Sequence, residues 1–210
     1  APARPEMAAS SYPALAPEGD GWRLSDESTE VVFDLATVRV LGATRLYEDA
    51  DLRAAVREAT DGALDQPWRF CFATQLSFQP PLTPGVGPAS LYPTVASSAR
   101  RQFAEDLRER GFRNVERGRH DRLRTDSGAR ARLTRYEATF PTADAFAGDG
   151  DRPAEAEVAV EGWLSVWVAD GQFRLAGGAY PTDGLDAVAP GVADDPGTYR
   201  NELLSVLRSA

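Results

Sequence analysis

The sequence predicts an α+β fold in which one antiparallel β-sheet is sandwiched between helical layers, an α/β/α arrangement. Residues 157–169 and 172–180 flank Asp170-Gly171, the strongest short-range hairpin signal a sequence carries. The first arm of that hairpin is apolar on both faces: Val158, Val160, Leu164, Val166 and Val168 share one, and Trp163 and Trp167 stand on the other. A strand apolar on both faces is covered on both sides, which places helices above and below the sheet. The order of elements agrees, because strands, a helix, a strand, a second helix, a run of strands and a closing helix follow one another along the chain.

Residues 1–20 carry Pro2, Pro5, Pro13 and Pro17 without hydrophobic periodicity and read as a disordered leader. One domain is expected over 21–210. Residues 29–41 suggest a long strand or a pair of strands, extended by 44–47. Glu48, Asp49 and Asp51 then open a helix whose buried stripe is Leu52, Val56 and Ala59, ended by Gly62. In the strand over 68–78, Trp68, Phe70, Phe72, Leu76 and Phe78 alternate onto one face, with Arg69, Cys71, Ala73, Gln75 and Ser77 on the other. Residues 79–93 hold five prolines and read as a stiff loop. Thr94 caps a helix that buries Val95, Ala99, Phe103 and Leu107 and is closed by Gly111. Short strands over 112–116 and 121–125 lead through an Asp126-Ser127-Gly128 turn into a strand over 129–140. Residues 143–153 read as a mobile acidic loop. Asp195-Pro196 starts the last helix, with Tyr199, Leu203, Val206 and Leu207 buried.

Charge is the clearest compositional feature. All 23 basic residues are arginine, against 32 aspartates and glutamates, for a net charge of −9. The absence of lysine and isoleucine fits a GC-rich genome. The acid excess does not follow from that bias, and it repels itself unless solvent screens it. Molar salt shortens the screening length to about 3 Å, so the chain reads as halophilic and archaeal. No apolar run is long enough to cross a bilayer, and residues 1–20 lack a signal-peptide core. A cytoplasmic location is expected; an exported or lipid-anchored one is the alternative where a preceding segment has been removed.

Four segments carry a resemblance. The glycine-led GFRNVERG, the stretch SGARARLTRYEATF after a turn, the hairpin EVAVEGWLSVWVADGQFRLAGGAYP and the closing YRNELLSVLRSA together resemble the PsbP-like fold over 111–210. That fold occurs in extrinsic photosystem II subunits and in a nuclear-import factor that binds the GTPase Ran. The resemblance implies a module that docks on other proteins and carries no catalytic residues. The proline-rich stretch 79–93 departs from that pattern.

The residues available for chemistry are few. Cys71 is the single cysteine and His120 the single histidine, which excludes an intramolecular disulfide, a paired-histidine metal site and a structural zinc. Cys71 lies in an apolar strand and reads as a small buried hydrophobe. His120, in ERGRHDRLR, reads as a surface residue of a turn. No G-x-S-x-G elbow and no phosphate-binding glycine motif occurs. Asp149, Asp151 and Glu155 fail the spacing of a calcium loop and read as a solvated segment. No catalytic residue, metal or cofactor is assigned.

One regional feature remains. Residues 100–135 hold twelve arginines against six acids, whereas the rest of the chain holds eleven against twenty-six. Of these, Arg113, Arg117, Arg119, Arg122, Arg124, Arg130, Arg132 and Arg135 fall on adjacent strands, where alternate members share a face. Guanidinium forks grip carboxylate and phosphate, so these eight are the candidate partner-binding residues; pairing with nearby acids is the competing explanation. The leading reading is a non-enzymatic module that binds a protein partner through these arginines or the proline loop, with nucleic acid disfavoured by high salt. The alternative is a binder of a small apolar or anionic ligand in a pocket between sheet and helix, using Arg69, Trp163 and Trp167. An enzyme of unrecognised type is the third reading.

Overall fold

In a computed structural model, the described residues are 12–15, 17–35, 38–82, 87–146 and 157–210. The strands are β1 (Trp22–Leu35), β2 (Val38–Asp49), β3 (Phe70–Gln79), β4 (Arg113–Arg124), β5 (Arg130–Pro141), β6 (Glu157–Ala169) and β7 (Gln172–Asp183). They form one seven-stranded sheet in the order β1-β2-β3-β7-β6-β5-β4, with every described pairing antiparallel. The helices are α1 (Ala50–Ala59), α2 (Pro88–Glu109), the single turn α3 (Leu185–Val188) and α4 (Pro196–Ser209).

The sandwich between helical layers is thereby corrected: the molecule is a β-rich fold built on one antiparallel sheet, with few helices. Among the described residues only α2 and α4 exceed ten residues, and they lie on opposite faces. The α2 side chain of Phe103 packs with Phe72 and Tyr136, while α4 sets Arg200 over Trp163 and Leu203 against the Gly178 backbone. The misreading has a local cause. Strand β6 lies under both helices and is buried on both faces, but the outer strands β1 and β4 are largely exposed. Covering at the centre of a sheet produces the same apolar pattern as a full layer.

Several elements depart from expectation in ways their residues explain. Helix α2 starts at Pro88, inside the stretch read as a loop, because a proline in the first turn gives up no hydrogen bond; Pro93 sits further inside it. The two short strands expected over 112–125 are one edge strand, β4, with register shifts between Arg113 and Glu116 and between Arg117 and His120. Edge exposure removes the hydrophobic alternation that would have joined them. The 143–153 loop begins with a 3-10 turn, Ala143–Phe146; Asp149, Asp151 and Glu155 lie outside the described residues. Of the expected leader, Leu15 is buried in the core and the Thr29 hydroxyl donates to the Tyr12 hydroxyl at 3.3 Å.

The β6–β7 hairpin turns where expected, with Asp170 (φ 52°) and Gly171 (φ 74°) both left-handed, as a two-residue turn matching strand twist requires. Two consecutive glycines on β7 then set the distance to both helical sides. A Cβ on Gly177 would lie 2.7 Å from the Phe72 ring, and one on Gly178 would lie 2.3 Å from the Phe70 carbonyl oxygen and 2.7 Å from Leu203. The Gly178→Ala change is therefore expected to destabilise the fold by roughly 1–3 kcal/mol through overpacking against backbone. Chemical denaturation reads this directly, and an unchanged midpoint would show that α4 does not seat on that glycine.

Candidate arginine-rich binding face

The β4–β5 hairpin is held at its tip. The Thr125 amide donates to the Ala129 carbonyl at 3.0 Å, and the Asp126 amide donates to the Arg208 carbonyl at 2.9 Å, which ties the turn to the end of α4. On this anchored hairpin Arg122 stands directly opposite Arg132, and Arg124 opposite Arg130. Like charges directly opposed across strands are destabilising. No carboxylate lies within ion-pair distance of these four, nor of Arg100 or Arg117, among the described residues.

The register places this group on the α2 side. Arg117 is opposite Tyr136, whose hydroxyl donates to the Arg100 carbonyl at 3.0 Å, and His120 is opposite Thr134. Arg100 of α2 donates from Nε to the Thr134 hydroxyl oxygen at 3.2 Å, and His120 Nδ1 lies 3.1 Å from the same oxygen. A guanidinium can only donate, so the hydroxyl proton remains for a neutral His120 ring. Partial burial, then the charges of Arg100, Arg117 and Arg132, hold His120 below its ordinary value of 6.5. The Arg132 guanidinium also lies 5.6 Å from the centroid of the Tyr92 ring. Two depressions, of about 630 and 660 Å³, adjoin along Arg122 and Arg132.

The eight arginines named from the sequence thus divide. Arg117, Arg122, Arg124, Arg130 and Arg132 come together. Arg119 pairs with Asp121 at 3.3 Å and lies over Trp163, on the α4 side. Arg135 joins Glu137 and the buried Glu161 there. Arg113 sits at the far end of the β4–β5 ladder, opposite Thr139. Arg100, Tyr92 and His120 complete the face and were not assigned to it from sequence. Arg100 was legible as the flank of the stripe formed by Val95, Ala99 and Phe103; the two others carried no signal.

The residues of the alternative pocket go elsewhere. Trp163 is 0% and Trp167 1% exposed, so both are core. Arg69, 7% exposed, is clamped between the rings of Trp22 (4.7 Å) and Tyr199 (4.6 Å) and pairs with Asp49 at 3.0 Å and with Glu202. Asp49 also caps α1 by accepting from the Leu52 amide at 3.0 Å. Burial pushes the Cys71 thiol up to about 12, so it carries no thiolate at neutral pH. Among the described residues no group of His, Cys, Asp and Glu is placed to hold a metal ion, and no helix is long and apolar enough to cross a membrane.

Two outcomes are expected. A single imidazole gives one clean NMR titration, and its midpoint should lie below 6.5 and rise in the Arg132→Gln variant, which removes one of three facing charges. Because the folded value is lowered, the proton favours the unfolded chain. The stability that His120 contributes is present above 6.5 and is lost as pH falls through the folded midpoint. Truncating Arg69 to alanine leaves Asp49 beside a stripped aromatic clamp, and a loss of about 3–5 kcal/mol in denaturation is expected.

No curated protein and no solved structure matches the chain. The family model for a domain of unknown function, DUF6517, matches residues 9–210. With nearly all of its length covered by that one model, the chain belongs to the DUF6517 family.

Proposed function

We propose that this domain is a non-enzymatic interaction module that holds an acidic partner protein on the face formed by Arg100, Arg117, Arg122, Arg124, Arg130 and Arg132. The observation that carries the reading is the pair of opposed arginine couples that meet no carboxylate among the described residues of an acid-rich chain. Arg119 and Arg135 of the same two strands, by contrast, each meet a carboxylate. Cross-strand repulsion between the remaining couples is relieved when an outside anion sits between them. Guanidinium forks favour carboxylates presented in pairs on a firm surface.

The halophilic reading is part of the same proposal. The acid-rich remainder of the surface repels an acidic partner at long range in dilute buffer. At a screening length of about 3 Å that repulsion vanishes, while direct guanidinium–carboxylate contacts persist. Nucleic acid gains its affinity largely from counterion release, which molar salt removes.

A glutamate-rich peptide and an oligodeoxynucleotide of equal charge, each titrated against the protein in dilute and in multi-molar potassium chloride, test the reading. The peptide should raise the His120 midpoint in both salts, and the double variant Arg122→Glu with Arg132→Glu should bind it at least about tenfold more weakly. Equal binding by that variant, or an oligonucleotide that outlasts the peptide in high salt, overturns the proposal. The melting temperature of the protein alone should climb across the same salt series; a flat profile removes the halophilic part.

A further inference from the structure

We propose that a second, separate site, the cavity between α2 and the strands β1–β3, binds a small organic cation with an apolar body. The cavity has a volume of about 350 Å³, and a site of that size suits a small molecule. It lies on the same side of the sheet as the arginine face but at the other end of α2, and it shares no lining residue with the two basic depressions.

The floor is aromatic. Phe33, Phe70, Phe72 and Phe103 line it, and Gly177 allows the Phe72 ring to lie against the sheet. Thr44 and Thr74, which also line the floor, hydrogen-bond to each other at 2.8 Å, so their hydroxyls are already engaged. An apolar body is what such a floor accepts.

The rim has the opposite character. Asp26 and Glu30 stand on the β1 side and Asp106 and Glu109 on the α2 side, against the single cation Arg110. Burial raises the Asp106 carboxyl above its ordinary value, and the charges of Glu109 and Glu30 add to the rise, while Gln102 and Arg110 oppose it. A cation between the two walls relieves that crowding; an anion adds to it.

The chain supplies its own example of the contact. The Arg110 guanidinium lies 4.7 Å from the centroid of the Phe70 ring, and no carboxylate is within ion-pair distance of it among the described residues. A cation over a phenyl face is attracted by the ring quadrupole, more so when water is excluded. Phe72 and Phe103, whose centroids are 5.8 Å apart, and Phe33 offer further faces in the same cavity. An ammonium or quaternary ammonium group on an aryl or short alkyl body therefore matches both floor and rim.

The test uses phenethylammonium and its near-isosteric anion 3-phenylpropionate, titrated into the full chain in multi-molar potassium chloride by calorimetry and by NMR of the phenylalanine rings. Phenethylammonium should bind at one site, at least about tenfold more tightly than the acid, and shift the ring signals of Phe72 and Phe103. Glu30→Gln, on an exposed edge position that leaves the core untouched, should weaken it about threefold or more, and Asp106→Asn likewise. Equal affinity for acid and amine, absence of binding by the amine, or undiminished binding by Glu30→Gln overturns the proposal. None of these outcomes bears on the arginine face, because Arg122→Glu with Arg132→Glu should leave amine binding unchanged.

Discussion

Adjacent glycines on β7 govern how close anything can come to the centre of this sheet. Gly177 and Gly178 point to opposite faces, and each lacks the Cβ that would strike a neighbour at 2.7 Å or less. On one face the Phe72 ring lies down and Phe103 of α2 packs beside it. On the other, Leu203 of α4 reaches the backbone. The placing of α2 follows, and with it the approach of Arg100 to Thr134 at the β4–β5 end. The placing of α4 follows too, and its last turn then receives the Asp126 amide and steadies the hairpin that carries the opposed arginines. Distant features of the surface therefore depend on two missing methyl groups.

Charges in this chain fall into groups that do different work. Exposed pairs such as Arg45 with Glu27 and Arg53 with Asp65 contribute little, since solvent screens them. The buried ones set geometry. Glu161 accepts from Trp163 at 2.8 Å, from Tyr180 and from Arg135; burial alone would raise its carboxyl, but these donors outweigh burial and hold it below its ordinary value. Arg69 fastens β1, the end of β2 and α4 to one another through Trp22, Asp49 and Tyr199. Neither group is accessible enough to meet a partner. The arginines of the β4–β5 face stand apart because their contacts among the described residues are with neutral groups, the Thr134 hydroxyl, the Tyr92 ring and the Gly128 carbonyl, which leave their mutual repulsion without a neutralising charge.

How much of this was legible follows from where the information resides. Asp170-Gly171 announced its turn because left-handed dihedrals restrict residue choice locally. The Asp195-Pro196 start of α4 was legible for a similar reason: the Asp195 side chain accepts from the Thr198 amide at 3.1 Å. Coverage of the sheet was not legible, because Val160 and Trp163 report only what lies above and below β6. The arginine face was half legible. Strict alternation assigns Arg117 and Arg119 to one face and Arg122 and Arg124 to the other, yet the register shift between Arg117 and His120 regroups Arg117 with Arg122 and Arg124 and sends Arg119 across. A bulge in an exposed edge strand leaves no hydrophobic trace to betray it. The aromatic face of β3 was legible as strict alternation, but the cavity over it was not, since a void is a property of how far α2 stands from β1.

The two candidate sites divide α2 between them, and the helix is not arranged for its own benefit. Its last turn holds Asp106 and Glu109, where the carbonyl end of the macrodipole disfavours negative charge by about 0.3–1 kcal/mol per group. Arg108, paired with Glu105 at 2.8 Å, offsets only part of this. Arg100, meanwhile, is turned toward a strand already crowded with positive charge. Basic residues in place of Asp106 and Glu109 would favour the helix, whose residues before Arg100 carry no charge. A helix basic toward β4 and acidic toward β1 is instead what two sites of opposite sign demand of the one element that borders both.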